Sequence, residues 1–329
     1  MSMRIFPASP AALADAARLL RAGELVAFPT ETVYGLGADA GNPAAVRRIF
    51  AAKGRPAHHP VIVHLPDATH LERWARSVPE GARALAAAFW PGPLTLILPR
   101  LPHVHHTVTG GQDSVGLRVP AHPVARALLA AFAAAGGHGI AAPSANRFGH
   151  VSPTTALHVA DDLGDRVAMI IDGGPCDVGI ESTIVAFTDG APVLLRPGGI
   201  PVEALARVLG VAPREPGADA PRASGTLASH YAPHTRARLV TPNTLVAEWR
   251  QHADRDERIA VLARTIVQPE DFEGAWITAP GTPAGYARLL YAALRELDHV
   301  GADALLIEAV PGDDAWRAVR DRLDRATHP

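Results

Sequence analysis

The sequence predicts an α/β protein in two parts, and three observations carry that prediction. Short apolar runs alternate with Ala/Leu-rich segments of helical period. A stretch rich in Pro, Gly, Ala and Ser, with no period, interrupts the alternation at residues 211–229. The length of 329 residues is about two domains at roughly 150 residues each.

Taken in order, residues 9–22 read as a helix, with Ser9 as N-cap, Pro10 at the first helical position and Gly23 as the stop. Residues 25–28 are a short buried strand, followed by the polar run Pro29-Thr30-Glu31-Thr32-Val33-Tyr34-Gly35-Leu36-Gly37. Asn42 caps a helix to residue 52, and 60–65 is the next strand. Helices follow over 67–76 and 79–89, then buried strands at 94–98 and 115–119. Residues 122–135 are helical up to Gly136-Gly137, residues 140–143 lead into Ser144-Ala145-Asn146, and a helix follows Pro153. Strands at 167–171, 182–187 and 193–196 and a helix at 201–209 complete a sheet with antiparallel members, since strands and helices alternate imperfectly. Beyond the Pro/Gly-rich linker, a regular strand–helix alternation over about 95 residues (strands at 237, 259–263, 275–278 and 304–310; helices at 243–253, 283–298 and 314–326) resembles a small Rossmann-like domain. The expected division is 1–210, a linker at 211–235, and 236–329.

Composition removes several function classes. The 31 basic and 33 acidic residues nearly cancel, and aromatics are 5%, so neither a phosphate-backbone reader nor a base-stacking platform is the first expectation. A single cysteine, Cys176, permits no internal disulfide and no thiolate metal cage. No apolar run approaches the roughly 18 residues of a membrane helix, and the N-terminus lacks a signal-peptide core, so a cytoplasmic protein is expected. All but one of the basic residues are arginine. The exception, Lys53, either survived by chance or marks a place where a compact ammonium cannot be replaced by a planar guanidinium.

Generic motifs contribute little. Gly35-Leu36-Gly37-Ala38-Asp39-Ala40 formally fits a dinucleotide fingerprint, but six residues separate it from the strand end at Phe28, where that fingerprint needs an immediate turn. No phosphate loop, nucleophile elbow or zinc-protease motif occurs. His103, His105 and His106 read as a solvated loop rather than a metal site. Pro233 between His230 and His234 argues against a helical ligand pair.

More informative are polar segments beside predicted strands: Lys53-Gly54-Arg55-Pro56, Arg118 inside an apolar strand, Pro143-Ser144-Ala145-Asn146, Glu181-Ser182-Thr183, and Arg196-Pro197-Gly198. A buried arginine costs several kcal/mol unless an anion answers it, so Arg118 alone reads as an internal ion pair or an edge-strand residue facing water. Taken together, Lys53, Arg55, Arg118 and Arg196, with hydroxyls and close-approach glycines, point to a polyanion such as a nucleoside triphosphate.

In this order the motifs resemble the YrdC-type threonylcarbamoyl-AMP synthase family over residues 5–210. Ser224-Gly225-Thr226 with His230-Tyr231-Ala232-Pro233, and the helix Tyr291-Ala292-Ala293-Leu294-Arg295-Glu296-Leu297-Asp298, resemble its long, two-domain form. The resemblance implies a YrdC-like twisted mixed sheet followed by a Rossmann-like domain. It also implies a reaction: L-threonine, bicarbonate or CO2, and ATP give L-threonylcarbamoyl-AMP and pyrophosphate. A tRNA threonylcarbamoyl transferase complex then uses the product on the adenosine beside the anticodon. The threonine amine captures CO2 as a carbamate whose oxygen attacks the α-phosphate of ATP; both of these are anionic, so a cationic pocket that holds them in line is the main requirement.

Carried over by residue, Thr32, His64, Arg118, the backbone of Ala142 and Ser182 would hold threonine, with Arg118 on its carboxylate. Arg55, His59, Ser114, Ser144, Ser152 and Arg196 would hold ATP, with Asn146 in the same pocket. Lys53 would lie against phosphate or the carbamate, and Tyr231 would be brought in by a linker acting as a lid. Mg²⁺ would arrive with the nucleotide. The chain departs from the family at His59 (often Asn), at Val61 (usually Leu), and in the linker Ser224-Gly225-Thr226-Leu227-Ala228-Ser229-His230-Tyr231, which lacks a Ser-Pro-Gly start and a basic residue before His-Tyr. A weak tRNA contact is expected beside adenylation, and two other expectations compete with it: a double-stranded RNA or tRNA-binding module without adenylation activity, and carbamoyl transfer in hydrogenase maturation, whose cysteine-based fingers one cysteine cannot supply.

Overall fold

The computed structural model describes residues 4–187, 190–227 and 230–328. Ala228 and Ser229 of the linker motif, and the first three residues, lie outside the described residues. The chain divides into two compact units.

The first unit is built on a mixed sheet of ten strands: β1 (Ile5–Pro7), β2 (Val26–Phe28), β3 (Gly35–Asp39), β4 (Ile62–His64), β5 (Leu94–Pro99), β6 (Ser114–Arg118), β7 (Ile140–Ala141), β8 (Met169–Asp172), β9 (Thr183–Ala186) and β10 (Val193–Arg196). Their spatial order is β1-β8-β2-β3-β7-β4-β6-β5-β9-β10. Antiparallel pairs (β2/β3, β5/β6, β9/β10) mix with parallel ones (β4/β6, β5/β9). Seven helices accompany it: α1 (Pro10–Arg21), α2 (Pro43–Lys53), α3 (Glu80–Phe89), α4 (His106–Thr109), α5 (Pro123–Ala134), α6 (Ala156–Leu163) and α7 (Val202–Leu209).

Strand alternation splits the core between the two faces of the sheet. Val26 and Phe28 pack with Leu128, Phe132 and Ile140, while Leu25 and Ala27 join Leu36, Ile49 and Val63. The helix caps follow their sequence signals: the Ser9 and Asn42 side chains accept the first free N–H groups of α1 and α2.

The formal dinucleotide fingerprint is a strand. Residues 35–39 are β3, between β2 and β7, and a Cβ on Gly37 would meet Phe28 Cε1 at 2.9 Å and Ile140 Cγ2 at 3.0 Å. Its glycine makes room for core side chains rather than for a phosphate. The helix expected over 67–76 is a short 3₁₀ turn, Ala68–Arg73.

The second unit has a four-stranded parallel sheet, β11 (Ala237–Val240), β12 (Ile259–Ala263), β13 (Ala275–Thr278) and β14 (Ala304–Glu308), in the order β11-β14-β12-β13. Helices α8 (Leu245–Ala253), α9 (Pro283–His299) and α10 (Arg317–Ala326) complete it. At the end of β14 the fully buried Glu308 carboxylate accepts the N–H groups of Arg264 (2.6 Å) and Thr265 (2.8 Å), and the Thr265 hydroxyl. Of residues 211–235, expected as a linker, those up to Thr226 cluster with the first unit and those from Leu227 with the second. Gly149–Ser152 and Val178–Ile180 also cluster with the second unit. No helix among the described residues is long and apolar enough to cross a membrane.

Candidate active site

Parallel strands β4 and β6 organise the predicted residues. Their register pairs Ile62 with Gly116 and His64 with Arg118. Side chains two apart share a face, so on β6 Ser114 lies one step back from Gly116, and Arg118, paired with His64, one step forward. Along β6, Ser114 and Arg118 are four residues apart, about 13 Å at 3.3 Å per residue.

At the forward end, the turn after β2 is held by Thr30, whose Oγ1 accepts from the N–H groups of Thr32 and Val33 (3.2 Å each) and lies 2.8 Å from Thr32 Oγ1. Arg118 reaches this turn, donating from Nη1 to Thr32 Oγ1 (2.9 Å), from Nη2 to Glu31 Oε1 (2.6 Å) and from Nε to the Gly92 carbonyl (3.3 Å). The internal ion pair that the isolated arginine predicted is therefore present. Burial pushes the Glu31 carboxyl up, but the charge and hydrogen bond of Arg118, with backbone N–H groups, win and hold it below its usual value. Beside it the His64 ring is fully buried, and burial, with Arg118 adding like charge, brings its pKa down to about 3. The ring is neutral at pH 7, and its Nδ1 makes no hydrogen bond. The Ala142 N–H is already given to Ile62 O (2.9 Å), which leaves its carbonyl as the group a ligand could meet.

Ser182, on the loop before β9, faces Thr95 Oγ1 at 2.8 Å. Arg196, ending β10, donates from Nε (3.1 Å) and Nη2 (2.9 Å) to the Ser182 carbonyl, from Nη2 to Ser182 Oγ (3.1 Å), and from Nη1 to the Ser224 carbonyl (2.7 Å). Arg55 donates from Nη2 to Pro60 O (2.9 Å) and Ser224 Oγ (3.2 Å). Ser224 thus touches both arginines at the rear of β4. Its hydroxyl also donates to Pro60 O at 2.9 Å.

His59 packs edge-on against Phe148 at 5.3 Å. Burial, then the charge of Arg55, lowers its pKa to about 4, so it meets a ligand as a neutral imidazole. Lys53, 3% exposed at the end of α2, donates to the carbonyls of Ser144 and Asn146, both at 2.6 Å. Burial, with Arg55 adding like charge, holds this amine well below the ordinary lysine pKa. The lone lysine therefore ties down the Ser144–Asn146 segment through two acceptors.

Ser152 and Tyr231 belong to the second unit. The Ser152 carbonyl accepts from Arg295 Nε (3.5 Å). Tyr231 is 1% exposed at φ 63°, with Arg322 over its ring at 5.4 Å. Sequence reasoning assigned no role to Glu31, Thr95, Phe148 or Ser224. A signal existed for Glu31, a carboxylate flanked by threonines at the end of an apolar strand.

A turn glycine fixes the Arg196 end. A Cβ on Gly198 would lie 2.3 Å from Thr183 N and 2.6 Å from the Ser182 carbonyl carbon, both backbone atoms that cannot rotate aside. Gly198→Ala is expected to destabilise the protein by about 1–3 kcal/mol. A urea midpoint equal to the parent's would show that this turn relaxes freely.

Known proteins resemble this chain over most of its length. Residues 18–198 match the family described as "Telomere recombination", and residues 200–327 match "Threonylcarbamoyl-AMP synthase, C-terminal domain". The threonylcarbamoyl-AMP synthase of Pyrococcus abyssi is 40% identical over 95% of this chain and 93% of its own. That of Bacillus subtilis is 41% identical over 95% and 92%. The crystal structure of P. abyssi Sua5 complexed with L-threonine superposes with a TM-score of 0.90 at 39% identity, covering 98% of this chain and 97% of the other. The chain therefore belongs to the threonylcarbamoyl-AMP synthase family, in its two-domain form.

Proposed function

We propose that the protein condenses L-threonine, bicarbonate or CO2, and ATP into L-threonylcarbamoyl-AMP, releasing pyrophosphate, as the first step of tRNA threonylcarbamoyladenosine formation. The observation that carries this reading is the division of labour along β4 and β6. A carboxylate reader (Thr32, His64, Arg118) occupies one end, and Arg55 and Ser224 gather at the other, with Arg196 bridging Ser182 and Ser224. An amino acid joined to a nucleotide through a carbamate needs those two ends.

The threonine ammonium gives one proton to solvent, the free amine forms an N–C bond to CO2 as a C–O π bond opens onto oxygen, the nitrogen gives a second proton to solvent, and an oxygen of the resulting carbamate then attacks the α-phosphorus. The O–P bond to pyrophosphate breaks as the new one forms. The carbamate, ATP and pyrophosphate are all anionic, so the contribution of Arg55, Arg118 and Arg196 is charge held in place before the reaction starts. Lys53 acts on the same charge or on the loop that frames it. ATP enters as its Mg²⁺ complex: the rear cluster offers N–H donors and cations, which suit phosphate oxygens while the ion keeps its own ligands. The setting is the cytoplasm, with a threonylcarbamoyl transferase complex as the consumer. No observation favours RNA binding as the main role.

The test is pyrophosphate release from Mg–ATP with threonine and bicarbonate omitted in turn. Release is expected to need both, and to fall about 100-fold in Arg196→Ala. Release that ignores threonine would mean another acceptor. No release from folded protein would favour the binding-module alternative.

A further inference from the structure

A guanidinium has five N–H groups. On Arg118, three are taken by Gly92, Thr32 and Glu31, which leaves one on each terminal nitrogen. Each terminal nitrogen thus keeps one N–H with which to meet a substrate carboxylate. What orients the pair is Glu31. Its Oε1 holds Nη2, while its Oε2 accepts the N–H groups of Ala121 (2.9 Å) and His122 (3.4 Å), just before α5. The carboxylate is pinned at both oxygens, so it cannot swing away from the arginine. Both side chains are buried, 4% exposed for Arg118 and 8% for Glu31.

Two consequences follow from charge and geometry. Ordering an arginine costs rotamer entropy, and here that cost falls on folding rather than on ligand binding. With Glu31 ionised, the pair is also net neutral before any ligand enters, so a second anion gains little there by charge alone.

We propose that Glu31 is a positioning residue for amino-acid recognition: it aims the two remaining N–H groups of Arg118 at the substrate carboxylate, and by neutralising that arginine it makes the site prefer a zwitterion to a plain anion. This rests on the synthase reading above. It goes beyond that reading in assigning both the geometry and the selectivity to a residue that need not touch the substrate.

The experiment measures threonine-dependent pyrophosphate release in the full chain and in Glu31→Gln, with 3-hydroxybutyrate as competitor. That probe keeps the carboxylate and hydroxyl of threonine but has no ammonium group. Glutamine keeps the shape and offers one oxygen, so either the backbone N–H groups or Arg118 must face its NH₂. In Glu31→Gln the threonine KM is expected to rise about tenfold with the ATP KM within about twofold, while the preference for threonine over 3-hydroxybutyrate narrows about fivefold or more. A threonine KM that stays or falls, a parallel rise in both KM values, or an unchanged preference overturns the proposal.

Should Glu31→Gln not fold, Glu31→Asp carries the test. It keeps the charge but is a methylene too short to span both partners, so the threonine KM should rise while the preference stays. A parental threonine KM would overturn the proposal. Wild-type release that ignores threonine would instead refute the synthase reading and is seen before any variant is made.

Discussion

Replacing Arg118 with alanine is expected to cost about 3–5 kcal/mol of stability, because it strands a buried carboxylate without its cation. Glu31 would keep its two backbone N–H groups but lose the guanidinium that holds its pKa down. Against a usual total of about 5–15 kcal/mol, that is a large fraction.

The pH dependence identifies the cause. In the parent, the folded pKa of Glu31 lies below its unfolded value of 4.5, so its contribution is present above pH 4.5 and fades as pH falls through the folded value. In Arg118→Ala, burial acts on the carboxyl unopposed by that cation and raises its pKa. The deficit against the parent should then shrink as the pH falls and Glu31 takes up a proton. Urea midpoints at pH 7 and near pH 5 decide this, and a deficit that stays constant would mean lost packing rather than a stranded charge. Threonine-dependent pyrophosphate release should fall about 100-fold or more. In the double variant Arg118→Ala/Glu31→Ala stability should partly return, with no recovery of activity, since removing both partners removes the stranded charge but not the need for a carboxylate reader.

Lys53 carries the second large expectation. Its ammonium sits between two carbonyls, and a compact point charge fits there where a planar fork does not. Lys53→Met and Lys53→Arg should both lose about 100-fold in pyrophosphate release, the methionine by leaving two buried carbonyls unanswered and the arginine by forcing the Ser144–Asn146 segment outward. A Lys53→Arg enzyme with more than about a tenth of parental activity would show that charge alone suffices. The isolation of one lysine among so many arginines would then be an accident of composition.

Much of this was legible in the chain. Apolar runs at 94–98, 115–119 and 259–263 are strands in place, and the helices capped by Ser9 and Asn42 begin where those caps put them. What failed did so for physical reasons. β1 has three residues and ends in proline, too short for a period to show. β3 is glycine-rich because its neighbours crowd it, and glycine in isolation reads as a turn. Residue types named the cations, but not that Arg118 already has an anion or that Lys53 spends its hydrogens on carbonyls. Partners distant in sequence, such as Glu31 and Arg118 or Arg55 and Ser224, are set by strand register and chain return, which no local pattern encodes.

Because Ser114 and Arg118 both lie on β6, the distance between them is a property of the pleat. Side chains on one face recur every second residue, so that distance can change only in jumps of about 6.6 Å, and a slip by a single residue would turn both side chains to the other face at once. The enzyme therefore has a built-in gauge without fine adjustment. On the proposed reading, tolerance for a slightly longer or shorter amino acid would come from the loops that carry Thr32 and Ser182, while β6 keeps the distance between Ser114 and Arg118 constant.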